Sequence, residues 1–140
     1  GISRPLQEEH THCSTTTALA GKAAFVAPEA FLSADVSGKT QYSKPNDIYS
    51  LAILIWCCMS QQRPFEGWNP LKIMREVGDK QFRQKIPDHT PLKLAKLIEK
   101  SWAQDVFLRP CSSQISTELG EIYQEESARQ SPSLLFPQKR

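Results

Sequence analysis

The sequence predicts a mainly α-helical domain built around one central helix, and three observations lead there. Asn46 to Met59 is apolar almost all round, through Ile48, Leu51, Ala52, Ile53, Leu54, Ile55, Trp56, Cys57 and Cys58. A helix apolar on every face is a helix buried on every face. Further on, Leu92, Leu94, Ala95, Leu97, Ile98 and Trp102 recur at helical spacing. Pro28 and Pro70 each stand where a helix can open, because proline suits a first turn and cannot sit inside one.

Taken in order, Gly1 to Leu19 is polar, carries Pro5 and the Ser14-Thr15-Thr16-Thr17 run, and repeats at neither helical nor strand period. It reads as a loop. Gly21 to Phe31 is small and apolar; a short helix opens at Pro28, where Glu29 complements the positive helix end. Ser33 to Pro45 is again loop, with Gly38 as a turn residue. Asn46 or Asp47 caps the central helix. Its β-branched residues also suit a buried strand, but its length favours helix. After the Arg63-Pro64-Phe65-Glu66-Gly67 turn, a helix runs from Pro70 through Leu71, Ile73, Met74 and Val77 to about Gly78. Pro87 and Pro91 bracket a loop before the Leu92–Trp102 helix, and Asp105 to Pro110 is another. Ser112 or Ser113 caps a last helix with Ile115, Leu119 and Ile122. From Glu125 the composition turns polar, and Ser131-Pro132-Ser133 with Pro137 marks a tail or linker.

Totals exclude several function classes. With 39% hydrophobic and 23% charged residues in 140, the chain is one ordinary globular domain. Net charge is +2 and no basic run dominates, so no nucleic-acid footprint is expected. Ile48–Met59 falls short of the roughly 20 residues a membrane span needs. Cys13, Cys57, Cys58 and Cys111 form no Cys-x-x-Cys pair and no zinc spacing with His10, His12 or His89. No metal site is expected: His10, His12 and Cys13 read as a polar loop. Cys57 and Cys58 read as small buried hydrophobes, and the cysteine usage fits a reducing, cytoplasmic setting.

Three pieces, in order, carry a family resemblance. Gly21-Lys22-Ala23-Ala24-Phe25-Val26-Ala27-Pro28-Glu29 ends in the Ala-Pro-Glu that closes kinase activation segments. Asn46 to Trp56, followed by Arg63-Pro64-Phe65, resembles the kinase central helix and the turn after it. Leu97-Ile98-Glu99-Lys100-Ser101-Trp102, followed by Arg109-Pro110, resembles the late kinase helix with its tryptophan. From about Gly1 to Tyr123 the chain therefore resembles the helical C-lobe of a protein kinase. Asn69-Pro70-Leu71-Lys72-Ile73-Met74 and Ser101-Trp102-Ala103-Gln104 resemble the tyrosine-kinase-like group, in particular its receptor-interacting serine/threonine kinases, which pass inflammatory or cell-death signals. Gly1 is similar to the glycine of Asp-Phe-Gly with the Asp and Phe missing. The resemblance thus implies an incomplete kinase fold without N-lobe or catalytic loop. Residues 1–27 would be the activation segment and substrate-docking loop, 28–128 the helical C-lobe, and 129–140 a polar tail or linker.

What the resemblance implies for single residues is specific. Glu29 and Arg109 would form an ion pair that pins the activation segment to the helical lobe; otherwise they are two unrelated surface charges. Asp47 would anchor the catalytic loop through its backbone donors; otherwise it is a plain helix cap. Leu54 and Cys58 would support the column of side chains beneath the adenine pocket, and are core residues on either view. Gly21, Lys22, Ala23, Ala24, Phe25 and Val26 would line the substrate-docking loop. Thr11, Ser14, Thr15, Thr16 and Thr17 are candidate phosphosites, with Arg4 and Lys22 near in sequence to meet a phosphate, or else part of a polar loop.

The implied activity is ATP-dependent phosphorylation of serine and threonine in protein substrates, belonging to the whole parent domain. Phosphoryl transfer needs a nucleotide-positioning loop, a lysine and metal-binding carboxylates. No Gly-x-Gly-x-x-Gly, His-Arg-Asp or Asp-Phe-Gly occurs in the sequence. The chain alone is therefore expected to hold no catalytic residue and no cofactor, with ATP and Mg expected for the complete parent domain. Its partners would be a protein substrate or signalling protein and the missing N-lobe and catalytic loop. One departure motivates an alternative. Serine/threonine kinases place Thr after the docking-loop glycine, where this chain has Lys22, whose ammonium accepts no hydrogen bond. A pseudokinase acting as a scaffold or interaction module is the second reading, and a stand-alone helical domain the third.

Overall fold

The computed structural model describes residues 19–32 and 43–131. Five α-helices order them: α1 Pro28–Leu32, α2 Lys44–Ser60, α3 Pro70–Met74, α4 Leu92–Ser101 and α5 Ser112–Gln130. A π-helical turn, Arg75–Asp79, continues α3, and a 3₁₀ turn, Val106–Leu108, precedes α5. Residues 19–23 are helical as well, and no strand occurs among the described residues. The mainly α expectation therefore holds.

The central helix starts earlier than its sequence suggests. Ser43 is the N-cap residue, in extended conformation, and Pro45 sits in the first turn. Asn46 lies inside that turn, buried, with its side-chain oxygen accepting from Ser43 Oγ at 3.1 Å. Neither Asn46 nor Asp47 is the cap, because proline fixes the start two residues upstream. The helix ends on Gln61 in the left-handed region, whose N–H returns to the Cys57 carbonyl at 2.9 Å.

Packing falls on one side of α2. Tyr49, Ala52, Ile53 and Trp56 are buried against Leu94, Leu97 and Ile98 of α4, and α4 packs in turn on Ile115 and Ile122 of α5. Trp56 Nε1 donates to the Lys85 carbonyl at 2.9 Å, so the loop before α4 is tied to the same face. Full burial of one such aliphatic or aromatic side chain is worth about 1.5–3 kcal/mol.

The opposite side corrects the expectation of all-round burial. Leu54 is 52% exposed, Cys58 is exposed, and Leu51, Ile55 and Cys57 are only half-buried. Residues 47, 54 and 58 stand seven and four positions apart, about two turns and one turn, so they share one line along the helix. No described element covers that line, and a helix apolar all round then shows solvent an apolar stripe. Leu54 and Cys58 are thus not core residues of the described chain.

The remaining elements show smaller shifts. Only Ile73 and Val77 of the Pro70 helix are buried; Leu71 and Met74 face outward. The Asn69 side chain accepts from Lys72 N at 2.8 Å and starts α3. Helix α5 is capped by Cys111 rather than Ser112 or Ser113: the Gln114 side chain accepts from Cys111 N at 2.9 Å, closing a capping box. It also runs past Glu125, where the sequence turns polar, through to Gln130. Polar residues continue a helix when they pair outward, as Glu125 does with Lys93 and Glu126 with Arg129.

Candidate functional site

The densest polar construction lies at the base of the lobe, where α1, the start of α2 and the segment after α4 meet. Pro28 opens α1 and leaves Glu29 in its first turn. Arg109 follows the 3₁₀ turn, which Asp105 begins by accepting from Phe107 N at 2.9 Å. Across this gap Arg109 Nη1 donates to Glu29 Oε1 at 2.7 Å and Nη2 to Oε2 at 2.9 Å. This is the two-pronged fork that a guanidinium and a carboxylate form best. Nη1 also donates to the Pro45 carbonyl at 2.9 Å, and Nε to the Ala103 carbonyl at 3.0 Å. One side chain therefore holds α1, the α2 start and the α4 exit together. The Arg109 side chain is 1% exposed and that of Glu29 32%, so the cation is the more deeply placed partner.

Sequence reasoning missed the second half of this construction. The Tyr49 ring lies between two guanidiniums, with Arg83 Cζ and Arg109 Cζ each 5.3 Å from its centroid. Arg83 Nε donates to the Trp102 carbonyl at 2.8 Å, Nη1 to the Phe82 carbonyl at 2.8 Å, and Nη2 to Gln104 Oε1 at 2.9 Å. Gln104 Nε2 then donates to the Gly78 carbonyl at 3.2 Å, tying the π-helical turn in. Burial pulls the Arg83 guanidinium below its usual range, with Tyr49 opposing. Burial likewise pushes the Tyr49 phenol up, against the pull of the two arginines. The Tyr49 hydroxyl is buried with no hydrogen-bond partner among the described residues. No periodicity marks Arg83; it sits between glutamines in a loop, and only its contacts reveal it.

Above this base, the expected docking segment is short and partly helical. Residues 19–23 form a helical turn, and Ala24 N, Phe25 N and Val26 N return to the carbonyls of Ala20, Lys22 and Ala23. Gly21, Lys22 and Ala23 thus belong to a turn of helix. Ala24 is buried, Phe25 and Val26 are half-buried, and Gly21 and Lys22 are exposed. Ser50 Oγ of α2 donates to the Phe25 carbonyl at 2.7 Å and fixes the segment to the central helix. Two clefts flank it. One, of about 860 Å³, lies between Gly21, Phe25, Cys57, Arg63, Phe65 and Trp68. The other, of about 500 Å³, is lined by Gly21, Lys22, Val26, Asn46 and Asp47. Phe65, Trp68 and Phe82 stack in a triangle with centroids 5.2–6.3 Å apart, and Lys72 Nζ lies 4.3 Å over Trp68.

Asp47 is exposed on the edge of the smaller cleft, on the same line of α2 as Leu54 and Cys58. Thr11, Ser14, Thr15, Thr16 and Thr17 lie outside the described residues. Among the described residues no group of three or more His, Cys, Asp or Glu side chains converges. No helix of the described residues is long and apolar enough to cross a membrane.

A helical lobe with an Ala-Pro-Glu glutamate forked to a late arginine, and a central helix behind both, defines a kinase C-lobe. Comparison with known proteins agrees: the family model "Protein tyrosine and serine/threonine kinase" matches residues 1–119, and the chain belongs to that family. It is 33% identical over 115 residues to the serine/threonine-protein kinase STY17 of Arabidopsis thaliana, covering 82% of this chain and 19% of that protein. It is 34% identical over 109 residues to STY46 of the same plant, covering 78% and 18%. To the human ankyrin repeat and protein kinase domain-containing protein 1 it is 32% identical over 107 residues, covering 73% and 14%. The chain thus spans less than a fifth of the length of each of these relatives.

Proposed function

We propose that the chain is the activation-segment and C-lobe portion of a serine/threonine kinase domain, catalytically incomplete by itself, whose activity belongs to a longer protein. The observation that carries this is the central helix. Its inner face is packed, while Asp47, Leu54 and Cys58 line up on the other side with no cover from the described residues. A catalytic loop seated in the Asp47 cleft would use that carboxylate as its anchor, and Leu54 and Cys58 would then support the nucleotide-binding side chains above. Glu29 and Arg109 pin the activation segment; Gly21 to Val26 dock the protein substrate; residues 1–27, 28–128 and 129–140 divide accordingly. ATP and magnesium are handled by the rest of the domain. The Asn69–Met74 and Ser101–Gln104 segments support the tyrosine-kinase-like group and its receptor-interacting branch. The cysteine usage supports a cytoplasmic setting.

A phosphotransfer assay tests the reading. The 140-residue chain is expected to transfer no phosphate to protein from ATP–magnesium, while the protein extended upstream through its catalytic loop does so. Turnover by the short chain would refute the incomplete-domain reading. Lys22 favours a second reading, a pseudokinase scaffold, since it is exposed where a hydroxyl would serve catalysis. An extended protein that binds partners but transfers nothing, and gains no activity with Lys22→Thr, would decide for it.

A further inference from the structure

A groove of about 770 Å³ runs between α4 and α5 and shares no lining residue with the clefts beside the docking segment. Ala103, Leu108 and Ile122 supply its apolar part, and Leu108 is 65% exposed. Phe107, next to Leu108 in the 3₁₀ turn, is 92% exposed. The charges of the groove are sorted by helix. The α4 side carries Lys93, Lys96 and Lys100 against the single carboxylate of Glu99, and the α5 side carries Glu118 and Glu121 with no cation. One edge is therefore positive and the other negative.

Ion pairs fix how the two helices stand. Lys93 pairs with Glu125 and Lys100 with Glu118, so α4 and α5 run antiparallel. Seven residues separate the two lysines and seven the two glutamates, so the helices keep step. At that step Lys96 and Glu121 stand level to within one residue, about 1.5 Å. Both are exposed, and neither makes an ion pair or a side-chain hydrogen bond among the described residues. A two-fold axis lying along the groove turns the face over and keeps every residue at its own height. Each α4 then lies on α5 of the other copy, positive edge on negative edge, at two equivalent places. A face of one sign would repel its own copy; this one is complementary to itself.

We propose that the α4–α5 face pairs with a second copy of this chain in a symmetric dimer. Lys96 meets the partner's Glu121, Glu121 meets the partner's Lys96, and the two Leu108 side chains close the groove between them. The ten residues of α4 make a face about 15 Å long. That is short for a standard interface, so the dimer is concentration-dependent rather than permanent.

Sedimentation equilibrium of the full 140-residue chain tests this. The wild type is expected to dimerise as its concentration rises. Lys96→Glu sets carboxylates against each other at both contacts, and Glu121→Lys does the same with ammoniums. Each variant alone is expected to dimerise at least about tenfold more weakly. An equimolar mixture of the two variants restores opposite charges across both contacts, and is expected to regain dimerisation at the wild-type level. Both positions are exposed, and the regained dimer itself reports that each variant is folded. A wild type that stays monomeric up to about 1 mM overturns the proposal. So does either variant dimerising as the wild type does, which would put the contact elsewhere, such as the outer line of α2. A mixture no more dimeric than its two components overturns it as well.

Discussion

The base of the lobe and the outer line of its central helix are opposites in chemistry and in completeness. At the base, Arg109 places four hydrogen bonds on Glu29, Pro45 and Ala103, and its stacked neighbour Tyr49 is fully enclosed. On the outer line, Leu54 and Cys58 are apolar groups that no other described residues cover. Charge that is buried must be satisfied within its own fold, because an unpaired buried ion is too costly to tolerate. Apolar surface left open costs far less, so it can wait for another segment of protein. On the proposed reading, the difference separates a self-contained end of the lobe from an end that receives the rest of the domain.

Breaking the base produces the largest effect. Arg109→Ala strips Glu29, Pro45 and Ala103 of a shared donor, and is expected to cost about 3–5 kcal/mol in urea unfolding. Because Arg109 is deeper than Glu29, Glu29→Gln is expected to cost at least as much per charge removed, leaving a buried cation facing neutral acceptors. An Arg109→Lys variant should recover only part of the loss, since an ammonium cannot make the fork. Equal stability of wild type and Arg109→Ala would refute the account of the base.

A smaller effect of opposite sign comes from Tyr49. Its hydroxyl is buried with no partner among the described residues, so Tyr49→Phe removes a desolvation cost while keeping the ring against both arginines. A gain of about 1 kcal/mol in unfolding free energy is expected. A loss of that size would mean the hydroxyl has a partner after all. Smallest of all is the outer line: Leu54→Gln should change the stability of the chain by no more than about 0.5 kcal/mol, as for an ordinary surface site. In the protein extended upstream, the same substitution is expected to cost several-fold more.

Much of this division was legible in the residues. The central helix and the proline-opened helices can be read from apolar runs and from Pro28 and Pro70, while the Glu29–Arg109 pair was implied only by the resemblance of Ala-Pro-Glu and Arg-Pro to kinase motifs. What could not be read has physical reasons. All-round apolarity says a helix wants cover, not whether the cover is supplied by the same stretch of chain, so Leu54 and Cys58 were expected inside. Capping at Ser43 depends on Pro45 setting the first turn, and Asn46 and Asp47 looked like equally good caps. Arg83 and Gln104 were invisible because both act on backbone carbonyls, which no sequence pattern displays. Gly21 to Ala23 read as loop because a helical turn that short leaves no period to detect.

The vicinal cysteines of α2 give the most direct measurement. Cys58 is exposed on the uncovered line, while Cys57 is half-buried and its thiol is pushed up by burial. Site-resolved alkylation by iodoacetamide should therefore modify Cys58 well before Cys57 in the 140-residue chain. In the protein extended upstream, Cys58 should slow to the rate of Cys57 or below. Cys58 rates that are the same in both proteins would contradict the proposal that the rest of a kinase domain seats on the outer face of the central helix.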